Sequence, residues 1–245
     1  MRPLLRWLGW VLLALLVLQL FFIGRIAMMA VINPTSTAFE RSEAWRLARQ
    51  EGSFHWQQEW TPYAKISDHL KRAVIASEDS DFVNHDGVEW DAIEKAWQRN
   101  ARAEEDAAQR AQQARGRARI RSPRIVGGST ITQQLAKNLL LSGERTMLRK
   151  GQEFALAQML ELLLSKQRIL EIYLNSVEWG EGVFGAEAAA QRYFRKTAAQ
   201  LTAHEAARLS VMLPRPKYFE TRPTSAYVVG RASTIVARMQ GAELP

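Results

Sequence analysis

The sequence contains no cysteine, which excludes disulfide scaffolds, thiolate zinc sites and cysteine nucleophiles. Its four histidines do not have the spacing of metal ligands, and no nucleophile-elbow pattern indicates a Ser-His-Asp hydrolase. Internal repeats and proline-rich tracts are also missing, since the eight prolines are scattered. The 245 residues, 47% of them hydrophobic, are enough for one domain with its own core and an appendage.

Positive charge is concentrated in one segment. Residues 98–124 hold eight arginines and three acidic residues, in a chain whose net charge is +8. We interpret this segment, rich in Ala, Gln and Arg, as a solvated helix or loop; a patch for anionic lipid or nucleic acid is the alternative. Because no aromatic residues alternate with these arginines, base stacking is not indicated, and we expect no nucleic-acid partner.

A long apolar run opens the chain. Residues 7–24 read WLGWVLLALLVLQLFFIG, and only Gln19 is strongly polar. About 20 apolar residues span a bilayer as a helix, whereas a cleaved signal peptide has an apolar region of about 7–15 residues. We therefore predict an uncleaved transmembrane anchor over 1–32. Arg2 and Arg6 precede the run and favour a cytoplasmic N-terminus, which places the remaining chain outside the cytoplasm.

Beyond the run, the periodicity predicts a mainly α architecture. Caps or capping-box patterns at Ser67, Thr130, Ser165 and Thr202 predict helices that begin after them. The helix after Ser67 should cover 68–78. A long helix is predicted over 146–164, with these side chains facing inward: Leu148, Ala155, Met159 and Leu162. A further helix should place three residues on one face: Trp90, Ile93 and Trp97. The best strand signal is short, at residues 54–56.

Three carboxylates crowd the end of the helix predicted over 68–78: Glu78, Asp79 and Asp81. Their mutual repulsion and the negative end of the helix dipole both raise the pKa of a carboxylate, which suits a general base. The alternative is a polar helix exit with a turn at Asn84 and Gly87.

A glycine pair precedes another predicted helix in GGSTITQQLAKN, residues 127–138. The free N–H groups at the start of such a helix suit an anion. Thr130, Gln134 and Lys137 share one polar stripe of this helix. From the residues alone, a phosphate site and an ordinary capped amphipathic helix are equally supported, and the segment is not a Walker A loop.

Basic residues surround a glutamate in RTMLRKGQE, residues 145–153. Arg149 and Glu153 are at helical spacing, and one interpretation is a surface ion pair that contributes little to stability. The functional interpretation is a cationic phosphate site beside a second carboxylate.

Taken together, four segments resemble the motifs of the membrane-anchored peptidoglycan glycosyltransferases, the family that also forms the polymerising domain of bifunctional penicillin-binding proteins: EDSDFVNHDG, GGSTITQQLAKN, RTMLRKGQE and KQRILEIYLNSVEWGEGVFGAEAAAQRYF. LTAHEAARLSVMLPRPKYF, residues 201–219, is a further match. The resemblance spans about residues 62–225, and residues 98–124 look like an insertion relative to the family. Since no β-lactam-binding domain follows, the chain resembles the monofunctional members.

The resemblance implies a lysozyme-like, mainly α fold of two lobes and a reaction that joins disaccharide-pentapeptide units delivered as lipid II, with inversion and release of undecaprenyl pyrophosphate. Glu78 matches the base that removes a proton from the acceptor's 4-hydroxyl, and Glu153 matches a second essential glutamate. Phosphate-contacting and supporting positions match Lys137, Arg145, Ser129 and Gln134. Positions expected to shape the site are Asp79, Phe82, His85, Gly87, Gly128, Thr130, Gln133, Asn138, Arg149 and Lys150.

From these features we expect an anchor (1–32), a linker and start of the extracytoplasmic part (33–61), a glycosyltransferase domain (62–225) and a C-terminal helix and tail (226–245). The expected location is the bacterial inner membrane, with the domain in the periplasm. The expected partners are lipid II, the growing glycan strand, the membrane, and cell-wall synthesis or division proteins. No cofactor is required by the sequence, although a Mg or Mn ion at the pyrophosphate is left open. The alternatives are a lysozyme-like glycan-cleaving enzyme and a non-catalytic cell-wall scaffold.

Overall fold

The computed structural model of the protein describes residues 2–50, 55–90, 94, 98–99, 101–103, 105–107, 128–141 and 146–245. Most of the segment 98–124 lies outside these residues, as do Ile93 and Trp97. The described helices are α1 (Arg2–Met28), α2 (Ala38–Ala48), α3 (Asp68–Glu78), α4 (Ile131–Leu140), α5 (Met147–Leu163), α6 (Lys166–Ser176), α7 (Ala186–Phe194), α8 (Ala203–Met212), α9 (Pro216–Phe219) and α10 (Ala226–Met239). Short 3₁₀ turns cover Tyr63–Lys65 and Ala198–Gln200. The mainly α prediction is confirmed.

Within the described residues, α1 alone is long and apolar enough to cross a membrane, over Pro3–Met28. Only its C-terminal part packs on the rest of the chain, where Phe22 and Ile26 are buried near α5. Most of its leucines are exposed, which is the arrangement expected of a helix whose natural surroundings are lipid.

Two groups of helices contribute to one hydrophobic core, and the helices of each group pack on one another. In the first group α3, α8 and α10 are mutual neighbours, and in the second α4 contacts α5 and α6. The stripe predicted on α4 is confirmed, since Ile131, Leu135 and Leu139 are fully buried. Ser67 caps α3 by accepting the His69 N–H, as predicted.

The two predicted capping boxes differ in outcome. Thr202 and Glu205 form both bonds of the box at the start of α8. At α4, Thr130 accepts the backbone N–H of Gln133, but the return bond from the Gln133 side chain is not made. Thr130 instead donates its hydroxyl to another segment, as described below.

Helix α5 has the predicted extent. Of the four residues predicted to face inward, Met159 is partly buried against the core, but the other three are exposed. Leu148 and Leu162 are 88% and 84% exposed, and Ala155 is exposed too. The buried stripe is Glu153, Leu156, Ala157 and Leu160, which has the i, i+3, i+4, i+7 spacing of a packed helical face. The helix is apolar on more than one side, so composition alone could not tell which stripe faces α4.

A small sheet has the strand order β1 (Gln57–Gln58), β3 (Val183–Phe184), β2 (Glu178–Gly180). β1 pairs with β3 in parallel, and β2 pairs with β3 in antiparallel register. The strand therefore begins just after the predicted residues 54–56. Between β2 and β3, Gly182 has φ +70°, and a Cβ there would lie 2.0 Å from the His55 carbonyl oxygen, so only glycine fits this close approach.

Candidate active site

Glu78, the last residue of α3, lies beside an amide from α4. The Nε2 atom of Gln134 donates a hydrogen bond to Oε2 of Glu78 at 3.0 Å. The hydroxyl of Tyr173, on α6, donates to Oε1 of the same amide at 2.9 Å. In this orientation the amide oxygen accepts from the tyrosine and the NH₂ group faces Glu78. Three helices thus orient one carboxylate.

Burial raises the pKa of Glu78, and the neighbouring charge of Asp79 raises it further. The hydrogen bond from Gln134 opposes both effects because it stabilises the ionised form. The direction predicted from the sequence is confirmed. The main cause differs, since desolvation outweighs the crowding of acidic residues.

Asp79 connects the exit of α3 to two other elements. Its Oδ2 atom accepts the backbone N–H of Ile131 at 2.9 Å, and its Oδ1 atom lies 2.8 Å from Nε2 of His85. The Gly87 N–H donates to Nδ1 of His85, so the imidazole proton lies on Nε2 and points to Asp79. The N-terminus of α4 therefore already has an anion, the Asp79 carboxylate. Of the two alternatives left open for this helix start, these bonds support the capped helix.

Thr130 does not share the polar stripe of α4 that the sequence predicts for it with Gln134 and Lys137. Its hydroxyl donates to the carbonyl oxygen of Gly87 at 2.6 Å, and the residue is buried. Gly87 has φ +79°, a conformation that favours glycine. Thr130 thus holds the loop that follows α3. Gln134 and Lys137 remain on the open side of α4, together with Ser129.

Glu153 is only 3% exposed, and two cations of its own helix bind it. Nη1 of Arg149 lies 2.9 Å from its Oε2, and Nζ of Lys150 bonds to its Oε1. Nζ of Lys150 is also 3.4 Å from the Ser129 hydroxyl. The Arg149–Glu153 pair is predicted correctly, but its interpretation as a surface pair is wrong.

These groups meet in a cavity of about 450 Å³ between α4 and α5. Its polar lining is Ser129, Gln134, Lys137, Arg149, Lys150 and Glu153. A second cavity of about 620 Å³ shares Gln134, Lys137 and Arg149 and extends past Asn138 to Glu178 on β2. Together they form a depression, hereafter the cationic groove, whose inner end is joined to Glu78 through Gln134.

The other predicted site residues lie in different places. Phe82 is fully buried, with the His85 ring edge and the Lys166 ammonium against it. Gln133 is buried and Gly128 leads into α4. Arg145 lies outside the described residues, as does Gly127.

Sequence reasoning missed two supports of this site. Tyr173 is not among the predicted site residues, yet its hydroxyl bonds to the Gln134 amide. Lys166 donates to the His85 carbonyl oxygen and pairs with Glu161 at 2.9 Å, which in turn accepts the Thr132 hydroxyl. A tyrosine on an otherwise apolar face was the available signal for the first, since a buried hydroxyl needs a partner. The second joins distant segments and has no local signal.

The site does not offer a ligand set for a divalent cation. No three His, Asp or Glu residues of the described chain cluster in a way that could hold a metal ion. Both carboxylate oxygens of Glu153 already bind the cations of Arg149 and Lys150. In the part of the chain that the structure describes, the residues present do not fit a protein-held ion.

A buried carboxylate of raised pKa beside a cationic groove suits a general base next to a site for an anionic leaving group. A family model described as Transglycosylase matches residues 46–240. Similar proteins include three named biosynthetic peptidoglycan transglycosylase, from Burkholderia thailandensis (53% identical), Burkholderia pseudomallei (52%) and Paraburkholderia xenovorans (50%). Each alignment covers 95% of this chain and 84%, 84% and 89% of the relative, respectively. The chain belongs to the transglycosylase family of peptidoglycan synthesis and is a glycosyltransferase.

Proposed function

We propose that this peptidoglycan transglycosylase polymerises lipid II into glycan strands and releases undecaprenyl pyrophosphate. The observation that supports this best is the connection of Glu78 to the cationic groove through a single amide, Gln134. On one side of this amide, Glu78 supplies a base for a sugar hydroxyl. On the other side, the cationic groove supplies cations for a pyrophosphate.

Glu78 acts as the general base. Its Oε atom accepts the proton of the acceptor's 4-hydroxyl while that oxygen attacks the anomeric carbon of the donor. The bond from this carbon to the pyrophosphate breaks with its electron pair, and the configuration inverts. The raised pKa of Glu78 strengthens the base, and the Gln134 hydrogen bond favours its ionised form.

The groove stabilises the charge that develops on the leaving group. Lys137 and Lys150 line it as exposed ammonium groups, and Ser129 adds a hydroxyl. Glu153 forms ion pairs with Arg149 and Lys150 and so holds both cations in place, which makes it a positioning residue of the groove. Because pyrophosphate is already a good leaving group, charge neutralisation contributes more than a general acid.

The decisive experiment uses the purified full-length chain with labelled lipid II. We expect glycan polymer from the wild type and a loss of about 10²–10⁴ in rate for Glu78→Gln. The exposed Glu59→Gln is the matched control and should retain the wild-type rate. Digestion of preformed glycan without polymer formation would identify a cleaving enzyme instead. No activity on either substrate would support a scaffold.

We also propose that α1 is an uncleaved anchor with a cytoplasmic N-terminus and that the folded domain is periplasmic. Arg2 and Arg6 precede the apolar run 7–24, and a lipid-linked substrate suits an enzyme held in the same layer. Protease added to spheroplasts should digest the domain beyond Asn33. A protected domain, or a mature N-terminus near Ser36, contradicts this topology.

A further inference from the structure

A groove of about 660 Å³ lies where α1 ends and the chain turns into α2. One wall is a face of α1, and the other is the connecting segment 33–36. This groove meets the cationic groove at one shared lining residue, Arg41. The residues of its lining that matter here are Leu20, Phe21, Gly24, Arg25, Ser36 and Arg41.

Two arginines line this groove. Arg25 reaches it from α1 and Arg41 from α2, and their positive charges disfavour each other. Within the described part of the chain, neither forms an ion pair. Arg41 donates only to the carbonyl and hydroxyl oxygens of Ser36, at 3.2 and 3.1 Å. Two like charges held together at a partly closed place favour an anion between them.

The nearest acidic residue on α2 does not fill this role. The two carboxylate oxygens of Glu40 accept the Thr37 N–H at 2.7 Å and Nε2 of Gln58 at 2.8 Å. Glu40 is buried, and its carboxylate caps the start of α2. Its charge reaches Arg41 only through space.

The connecting wall is fixed to the folded domain by Arg168 of α6. The guanidinium donates to the carbonyl oxygens of Met29 and Ile32, at 2.7 and 3.2 Å, and to Oδ1 of Asn33 at 2.8 Å. Glu171 holds the same guanidinium at 2.6 Å. The wall of the groove formed by the connecting segment is therefore held against the folded domain by these hydrogen bonds.

The groove lies at the height of lipid headgroups. The apolar run 7–24 is about 27 Å long as a helix, close to the thickness of a hydrocarbon core of about 30 Å. Arg25 follows this run directly, so it reaches the polar boundary of the bilayer. Leu20, Phe21 and Gly24 precede Arg25 along α1 and form one apolar strip of the groove on the hydrocarbon side of Arg25.

We propose that this groove binds an anionic phospholipid, with its headgroup on Arg25 and Arg41 and one acyl chain along Leu20, Phe21 and Gly24. Gly24 leaves a notch in the strip, because a Cβ there would meet no atom within 4 Å. The apolar strip continuous with the paired charges selects a lipid over a free anion. Such a lipid fixes the height at which the domain meets the membrane.

The test measures lipid retention by native mass spectrometry of the full-length protein in mild detergent. We expect a single phosphatidylglycerol to bind about tenfold more tightly than phosphatidylcholine, whose headgroup has no net charge. The double variant Arg25→Gln/Arg41→Gln should lose this preference. Gly24→Leu should weaken retention of both lipids by filling the notch without a clash.

Two matched controls accompany these variants. Arg49→Gln removes an arginine of the same region that does not line the groove, and Gly9→Leu fills an equally open glycine position at the other end of α1. Both should bind phosphatidylglycerol as the wild type does. The proposal is overturned if wild type shows no preference, if the double variant keeps it, or if equimolar inorganic phosphate displaces the lipid. Since no outcome depends on polymerisation, failure here leaves the proposed function untouched.

Discussion

The Oδ2 atom of Asp79 accepts the backbone N–H of Ile131, so the residue that follows α3 caps the first residue of α4. This bond joins the helix that ends in Glu78 to the helix that provides Gln134 and Lys137. The contact between Glu78 and the cationic groove thus depends on the buried Asp79 carboxylate, which forms no hydrogen bond to Glu78 or to the polar groups of the groove.

Removing that carboxylate should cost stability first. Asp79→Ala leaves the Ile131 N–H and Nε2 of His85 without acceptors in a buried place, and we expect a loss of about 2–4 kcal/mol. The measurement is chemical unfolding of the full-length protein in detergent. Asp81→Ala is the control: Asp81 is exposed and accepts only the Asn84 amide, so its loss should cost under about 0.5 kcal/mol. Equal losses in both variants contradict the capping role of Asp79.

The sequence predicts the local features of this protein well because they depend on neighbours along the chain. The apolar stripe of α4, the cap at Ser67 and the acidic cluster at Glu78 are all readable at helical spacing. The errors concern tertiary partners. The residues around Asp79 do not reveal that it occupies the N-terminus of α4, and those around Glu153 do not reveal its burial. The exposed Leu148 and Leu162 show the same limit, since apolarity does not say which partner covers a face.

Tyr173 should influence the position of the acidic limb of the pH profile of kcat/KM. In Tyr173→Phe the Gln134 amide loses the bond that orients it, and its support of ionised Glu78 weakens. Since that support lowers the pKa of Glu78, its loss raises the pKa. A general base is lost as the pH falls through its pKa, so the acidic limb of the kcat/KM profile should move to higher pH.

Tyr218→Phe provides the control for this profile. Tyr218 is an exposed tyrosine of α9, and its hydroxyl accepts a bond from Arg222. Its variant should keep the wild-type limb. If Tyr173→Phe folds normally and its acidic limb does not move, the Gln134 amide faces Glu78 without the help of the tyrosine.

Lys137 should act mainly on binding of the pyrophosphate. It is an exposed ammonium that lines both parts of the cationic groove. A charge-assisted bond contributes about 1.5–3 kcal/mol, so Lys137→Ala should weaken the binding of undecaprenyl pyrophosphate by at least about tenfold. Titration calorimetry in detergent measures this. Lys65→Ala, at an exposed lysine outside the groove, should bind like wild type. Unchanged affinity in Lys137→Ala removes this lysine from the leaving-group site.

The last prediction concerns Glu178, which is 7% exposed on β2 at the far end of the cationic groove. Burial raises its pKa to about 7; Lys217 and Arg46 oppose the shift, and Glu43 adds to it. The folded state therefore holds a proton that the unfolded state releases near its ordinary pKa of 4.5. Stability from this group is present below about pH 4.5 and falls as the pH rises to about 7, by about 3 kcal/mol in total.

Glu178→Gln should remove this dependence, because a glutamine does not titrate. The free energy of unfolding of the variant minus that of the wild type should increase by about 3 kcal/mol between pH 4.5 and pH 8. Denaturant unfolding at a series of pH values measures this difference. Glu181→Gln is the matched control on the next turn, where the exposed carboxylate pairs with Arg46. If the difference for Glu178→Gln stays flat across this range, Glu178 is ionised in the folded protein and its burial is compensated by Lys217.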